Sequence, residues 1–253
     1  MILALRKVPK LTVYFWIVKI LTTGMGEAAA DYLDHRLAPA LAVVIAGVVL
    51  AVALLLQFAT HRYNAWAYWF AVVMVSVFGT MAADGLHVEL GIPYVVSSVF
   101  FAACLIVVFI VWQISEKTLS IHSINTRRRE IFYWTAVMTT FALGTASGDM
   151  TATTLGLGYF SSGLLFAAIF AVPALAYWLF KLNPILAFWF AYIITRPLGA
   201  SFADWMGVPH SLGGLGMGRG TVSLGLSALI FGFVWYLAAT HKDVDRKQIS
   251  ANY

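Results

Sequence analysis

Seven ionisable residues stand inside stretches of this chain that are otherwise apolar: the acids Glu27, Asp31, Asp84, Asp149 and Asp204, and the bases Lys19 and Arg196. Charge within an apolar run of helix length is costly. Where it occurs it faces a bundle interior or a watery path, and it marks ion sites, proton relays or counter-ion pairs. Carboxylate oxygens are hard ligands, the kind that small divalent cations prefer. Glu27, Asp84, Asp149 and Asp204 are therefore candidate metal ligands, and with Asp31 they form a set able to bind an ion or to exchange it for a proton. The hydroxyls of Thr22, Thr23, Thr80, Thr145 and Ser201 offer further oxygens nearby in sequence. Lys19 stands eight residues before Glu27, and Arg196 eight before Asp204, so each is a candidate counter-ion or gate. Pro197 follows Arg196 and removes a helical hydrogen bond there. The plainer alternatives are that the aspartates end their helices at the lipid headgroups and that Lys19 snorkels to an interface.

No catalytic constellation accompanies these residues. No helix carries His at i and i+4 with Glu between, and neither a Walker lysine nor a nucleophile elbow is present. The Gly-rich run Gly213–Gly220 follows no strand. His87, close to Asp84 and Glu89, is positioned to assist a metal site at that end, although a solvated loop histidine is the plainer reading. We expect no enzyme and no organic cofactor, the one bound group anticipated being a divalent metal ion.

The four aspartates recur in register. Trp16, Trp69, Trp134 and Trp189 each follow an aromatic residue: Phe15, Tyr68, Tyr133 and Phe188. Ten residues after each Trp stands a glycine (Gly26, Gly79, Gly144, Gly199), four further on a small residue (Ala30, Ala83, Gly148, Ala203), and next the aspartate. Such a period is the signature of a repeat architecture. The small-xxx-small pairs allow helix backbones to approach closely in a bilayer, so Gly26, Gly79, Gly144, Gly148 and Gly199 are expected at helix contacts that draw the acids together. Glu27 lies four residues before Asp31, on the same face.

The elements that must position these residues follow from composition. The chain of 253 residues is 61% hydrophobic and 11% charged, with a mean hydropathy of +0.85; a soluble domain is nearer a quarter charged. Eight apolar segments of spanning length are predicted: 11–32, 40–59, 64–85, 94–113, 131–152, 159–180, 184–205 and 221–239. In lipid the backbone must satisfy its own hydrogen bonds, so these are helices. We expect an all-α integral membrane protein, a single domain over 1–253. Its four parallel two-helix repeats (about 8–60, 61–113, 126–181 and 182–240) form helical hairpins in a pseudo-fourfold bundle, with the odd-numbered helices central. A polar linker at 114–130 reads as an interfacial helix followed by a loop. The opening Arg6-Lys7…Lys10, apolar run and Ala28–Ala30 imitate a secretory signal, but they hold the first copy of the repeat, so a retained helix is expected. Cys104, alone in an apolar run, reads as a small core residue.

The net charge of +5 resides in short connecting segments rather than in a nucleic-acid-binding patch. Arg6, Lys7, Lys10, Arg62, Lys117, Arg127, Arg128, Arg129, Lys181, Lys242, Arg246 and Lys247 lie toward the Trp ends of the repeats; only Arg36 and Arg219 lie toward the Asp ends. This asymmetry puts both termini, and the 114–130 linker, in the cytoplasm. Each aspartate lies about 22 Å from its Trp along the helix, toward the outside.

The stretches Phe15-Trp16, Tyr133-Trp134-Thr135, Ala142-Leu143-Gly144-Thr145 and Thr195-Arg196-Pro197-Leu198-Gly199-Ala200-Ser201 resemble the bacterial membrane-protein family built of four tandem, Trp-containing, two-helix copies of a repeat of unknown function. The resemblance covers nearly the whole chain. It implies a polytopic protein of the bacterial inner membrane and supplies no substrate. From the residues, the expected function is a gradient-driven transporter or channel for a small inorganic cation, in the first reading a divalent metal exported through an intramembrane carboxylate site. The expected partners are the lipid bilayer and that ion. Two other readings stay open. One is a proton-coupled carrier of a small organic or anionic solute, held by Arg196 and Lys19. The other is a structural membrane protein whose aspartates cap helices.

Overall fold

The computed structural model describes residues 6–244, except the side chains of Val88 and Glu89. The histidine–acid pairing considered for His87 and Glu89, and the charges of Arg246 and Lys247, therefore lie outside the described residues. Among the described residues the chain is all helical, without strands. The eight long helices are α1 (Val13–Arg36), α2 (Pro39–Ala59), α3 (Ala65–Asp84), α4 (Tyr94–Glu116), α5 (Arg127–Asp149), α6 (Gly158–Phe180), α7 (Pro184–Gly207) and α8 (Arg219–Thr240). Six of them, α2, α3, α4, α6, α7 and α8, are long and apolar enough to cross a membrane, which suggests a membrane protein. Between α4 and α5 lies only a short 3-10 turn at Ile121–Ser123, so the interfacial helix expected in the linker is replaced by extension of its two neighbours.

Local chemistry separates the two kinds of helix. Each odd helix opens on a side-chain cap: Thr12 accepts from Phe15 N, Asn64 from Ala67 N, Thr126 from Arg129 N, and Asn183 from Ile185 N and Leu186 N. Such caps satisfy amide donors that the helix leaves without partners. The even helices lack them. Burial divides the same way. Of the most apolar windows, 56% of α3 and 61% of α7 is buried, against 17–22% for the even helices, which present Val, Leu, Ile and Phe outward.

The odd helices touch one another in a closed ring: α1 on α3, α3 on α5, α5 on α7, and α7 on α1. Two sets of contacts in the repeat pattern close it. The aromatic residue before each Trp packs on the Trp of the next repeat, with centroids 5.7 Å apart for Phe15–Trp69, 5.6 Å for Tyr68–Trp134, 6.2 Å for Tyr133–Trp189 and 5.8 Å for Phe188–Trp16. One layer along, a methyl group placed at Gly26 would strike Ser76, at Gly79 Phe141, at Gly144 Arg196, and at Gly199 Thr23. The residue struck is always the one seven positions after the Trp of the neighbouring repeat. Gly148 differs, since a Cβ there meets Pro197 at an ordinary 3.7 Å. The tryptophans thus serve the core; Trp69, Trp134 and Trp189 are buried.

The expected hairpins are a connection rather than a packing unit. Each even helix lies chiefly on the odd helix of the following repeat: α2 on α3, α4 on α5, α6 on α7, and α8 back on α1. At the Trp end the segment before α1 ties the elements together. Lys7, 7% exposed, donates to Glu130 Oε2 (2.6 Å) and to the Phe58 carbonyl (3.2 Å), while Gln57 donates to Glu130 Oε1 (3.0 Å). Lys7 is therefore buried in an ion pair, unlike the surface charge its position in the sequence implies.

Candidate functional site

Stepping four residues at a time from the aromatic residue before each Trp gives successive layers on the inner faces of the odd helices. The layer three residues after Trp holds Lys19, Val72, Val137 and Tyr192; the next holds Thr23, Ser76, Phe141 and Arg196; the third holds Glu27, Thr80, Thr145 and Ala200. All twelve are buried. The fourth layer is Asp31, Asp84, Asp149 and Asp204, and there the interior opens. A cavity of about 860 Å³ is lined by all four aspartates together with Glu27, Asp34, His35, Tyr94, Tyr159 and Arg219.

Arg196 closes the floor of this cavity. Its side chain is fully buried, and it reaches from α7 to the other three odd helices. One terminal nitrogen donates to Glu27 Oε2 (2.5 Å), to Thr145 Oγ1 (2.6 Å) and to Thr80 Oγ1; the other donates to the Thr23 carbonyl (3.0 Å). The acceptors Glu27, Thr80 and Thr145 all stand eleven residues after their Trp. A guanidinium, permanently charged and carrying five donors, suits such a convergence. The acid paired with Arg196 is thus Glu27, from the first repeat.

The acids fall into groups. Carboxylate oxygens of Glu27, Asp149 and Asp204, from three helices, all lie within 4.8 Å of one another. Asp204 is 6% exposed, and its carboxylate has neither a hydrogen bond nor an ion pair among the described residues. Asp31 is engaged elsewhere, by Arg219 of α8 (2.7 Å). Asp84 lines the cavity but stands apart from the close trio, which corrects the expected ligand set. Helices α3 and α5 pass directly from Asp84 and Asp149 into π-helical turns, Gly85–Glu89 and Met150–Thr154. Wide turns of this kind recur at functional sites.

Two further expectations need correction. Lys19 neither snorkels nor pairs with an acid. It is fully buried, its Nζ lies 3.9 Å from the centroid of Phe141 and 4.3 Å from that of Tyr192, and it has no hydrogen-bond acceptor among the described residues. The hydroxyls expected to complete an ion's coordination are used otherwise. Thr80 and Thr145 accept from Arg196, Thr22 donates to the Lys19 carbonyl, and Thr23 donates to those of Ile20 and Thr195. Only the Ser201 hydroxyl among them has no partner. His87 is hydrogen-bonded with the Ile92 carbonyl (3.2 Å) and Ser97 (3.3 Å).

The sequence matches the family described as Repeat of Unknown Function (DUF347) four times, at residues 14–63, 67–118, 132–183 and 187–243. The chain belongs to this family. Each matched stretch begins two residues before its Trp, so the family's unit runs from the aromatic pair of one odd helix through the following even helix. None of the curated proteins and none of the solved structures matches the chain. Arg219, Asp34, Tyr94 and Tyr159 are members of the site that sequence reasoning passed over. Tyr94 and Tyr159 share a place in the second and third repeats, and that equivalence was the available signal. Asp34 and Arg219 lie outside the repeat pattern and offered none.

Proposed function

We propose that this protein is a gradient-driven transporter of small cations, and that a divalent metal ion binds between Glu27, Asp149 and Asp204. The observation that carries this reading is the close approach of three carboxylates from separate helices at the base of a cavity, with Asp204 buried and unpaired. Two unit charges 4.8 Å apart repel by about 3.5 kcal/mol at an effective dielectric constant of about 20. A divalent cation relieves that repulsion, and oxygen ligands suit it. Arg196 then holds Glu27 when the ion is absent and bars the ion from the rest of the axis.

In this reading all eight helices span the membrane as a pseudo-fourfold bundle. The charges of α1 are tolerated because they face the axis, and Arg127–Glu130 of α5 lie at the membrane surface. The basic residues at the Trp end put the described termini in the cytoplasm of a bacterial inner membrane, so the cavity opens outward. Export remains the proposed direction. A second reading is favoured by the cavity's volume and its tyrosine walls. About 860 Å³ exceeds what a bare ion needs and lies in the range of organic-ligand pockets, so a small organic ammonium ion is the alternative cargo. Six carboxylates against Arg219 in the lining argue against an anion.

Mn²⁺ binding to purified protein, followed by electron paramagnetic resonance, tests the first reading. The wild type should bind, and Asp149→Asn and Asp204→Asn should each weaken binding tenfold or more, about 1.4 kcal/mol or more. Asp84→Asn should weaken it less. Failure of the wild type to bind Mn²⁺, with tight binding of an organic ammonium ion, would transfer the site to the second reading.

A further inference from the structure

Below Arg196 the bundle is closed, yet its interior is not apolar. Among the described residues, four buried side-chain atoms without hydrogen-bond partners fall in two adjacent layers of the axis: Lys19 Nζ, Tyr192 Oη, Ser76 Oγ and Arg196 Nε. Buried polar atoms are almost always hydrogen-bonded. A cluster of orphans inside one bundle is where buried water is held, each molecule bridging several such groups. Packing does not call for a cation here, since Val72 and Val137 fill the same column as Lys19 in the second and third repeats. Two aromatic faces return about 2 kcal/mol to an ammonium group, against a burial cost of several kcal/mol. Lys19 is thus kept at a cost to stability.

The polar line continues to the Trp end. The rings of Tyr192 and Tyr133 both pack on Trp189, with centroids 5.6 Å and 6.2 Å from it, and the Tyr133 and Tyr68 hydroxyls are 2.5 Å apart. The ring of Tyr63 meets that of Tyr68 with centroids 5.8 Å apart. Tyr63 donates to Asp243, in the segment that follows α8. Burial pushes the Asp243 carboxyl above its ordinary range, so that group is able to hold a proton. Each group in the line carries a proton that exchanges, and no aliphatic layer interrupts it.

We infer that the closed half of the bundle is a water-bridged proton path, running from Asp243 and Tyr63 through Tyr68, Tyr133, Tyr192 and Lys19 to the floor of the acidic cavity. For each proton entering at Asp243, every hydroxyl accepts one proton from the Trp side and releases its own toward Lys19. The Lys19 ammonium passes one on and regains one, and one proton leaves at the cavity. No electrons move, and Arg196, flanking the path, stays protonated and blocks larger cations. The path gives the proposed transporter its coupling, and so rests on that reading for its purpose, but its existence is tested by proton movement alone.

The test uses the full chain in liposomes loaded with a pH-sensitive dye, with an imposed proton gradient, valinomycin to clamp the voltage and no divalent ion. Wild-type vesicles should acidify faster than protein-free ones. Tyr68→Phe, Tyr133→Phe and Lys19→Met should each slow this about a hundredfold, the low end of what a positioned proton-transfer group contributes. Ser98→Ala, which removes an orphaned buried hydroxyl on α4 away from the axis, should leave it unchanged. Mn²⁺ binding measured on the same preparations should survive in the tyrosine variants, so loss of the cation reading and loss of the path show separately. Should Lys19→Met fail to fold, the two phenylalanine variants decide the matter. Wild-type vesicles no more permeable than empty ones, or full flux in both phenylalanine variants, would overturn the inference.

Discussion

Replacing Glu27 by Gln isolates the interaction on which the floor of the cavity depends. Arg196 is fully buried and Glu27 is 3% exposed, so solvent screens their 2.5 Å pair very little. The substitution keeps an acceptor oxygen and the side-chain volume but leaves a buried guanidinium without a counter-charge. Breaking a buried pair from one side costs about 3–5 kcal/mol. At about 2–4 °C per kcal/mol for a chain of this size, thermal unfolding should fall by on the order of 10 °C. Arg196→Met should be comparably harmful, because it strands Glu27 beside the other acids. The double variant Glu27→Gln/Arg196→Met removes both charges, and replacing a buried pair with neutral groups is often neutral or stabilising, so it should recover most of the loss. The assay is loss of the monodisperse peak after heating in detergent, for the four proteins of the cycle. Additive losses in the double variant, or a single Glu27→Gln variant as stable as the wild type, would show that the pair does not hold the floor.

Four other outcomes are expected. Gly144→Ala should lower the yield of folded protein sharply, because its methyl group strikes the stem of Arg196, whereas Gly148→Ala finds ordinary contact at 3.7 Å and gains helix propensity worth up to about 1 kcal/mol; equal tolerance would remove the glycine contacts from the account. Mn²⁺ binding should weaken as pH falls, because protons compete for the same carboxylates, and calorimetry at two pH values checks it. Asp243 is held above its ordinary range by burial, so its contribution to stability is present at low pH and fades as pH rises through the raised value. An Asp243→Asn variant should lose that part of the pH dependence of thermal stability. Cysteines placed at the Arg127–Arg129 turn in a Cys104→Ser background should react with membrane-impermeant reagents only after the cells are opened; labelling from outside would reverse the topology.

The starts of the odd helices carry a local signal, since Thr12, Asn64, Thr126 and Asn183 stand where they begin, but the polarity of the linker hid the start of α5 at Arg127, four residues before the predicted 131. The repeat placed the glycines and aspartates on common columns, and at the glycines ten positions after Trp the neighbouring odd helix does leave no room for a Cβ. What stayed hidden depends on the partner of each position. The two helices of one repeat look like packing partners, yet α2 lies chiefly on α3 of the next repeat and α8 on α1. Arg219, twelve residues after the end of the last helix carrying the motif, reads as a loop charge until the fold lays it against Asp31. Lys19 was visible as an anomaly, but a single sequence does not say that it faces Phe141 and Tyr192 rather than lipid. Lys7 illustrates the same limit at the other end of the bundle, where Glu130 comes from a helix more than a hundred residues away.

The division between framework and function runs along the columns of the repeat. Positions that close the ring, the aromatic pair and the glycine, are equivalent in all four copies, since a ring of four contacts fails if one is missing. The three buried layers between the aromatic pair and the aspartates are where the copies differ: Lys, Val, Val and Tyr in the first, Thr, Ser, Phe and Arg in the second, Glu, Thr, Thr and Ala in the third. Four identical charges there would face each other across the axis and repel. One arginine from the fourth copy, answered by one glutamate from the first and two hydroxyls from the second and third, satisfies a single fixed cation with donors and acceptors from every helix. Asymmetry on the axis is thus the condition under which a repeated scaffold can carry buried charge. It also gives the cavity a distinct base, where Glu27 stands between Arg196 and the unpaired Asp204, so that competition for Glu27 links the floor to whatever cation the cavity holds.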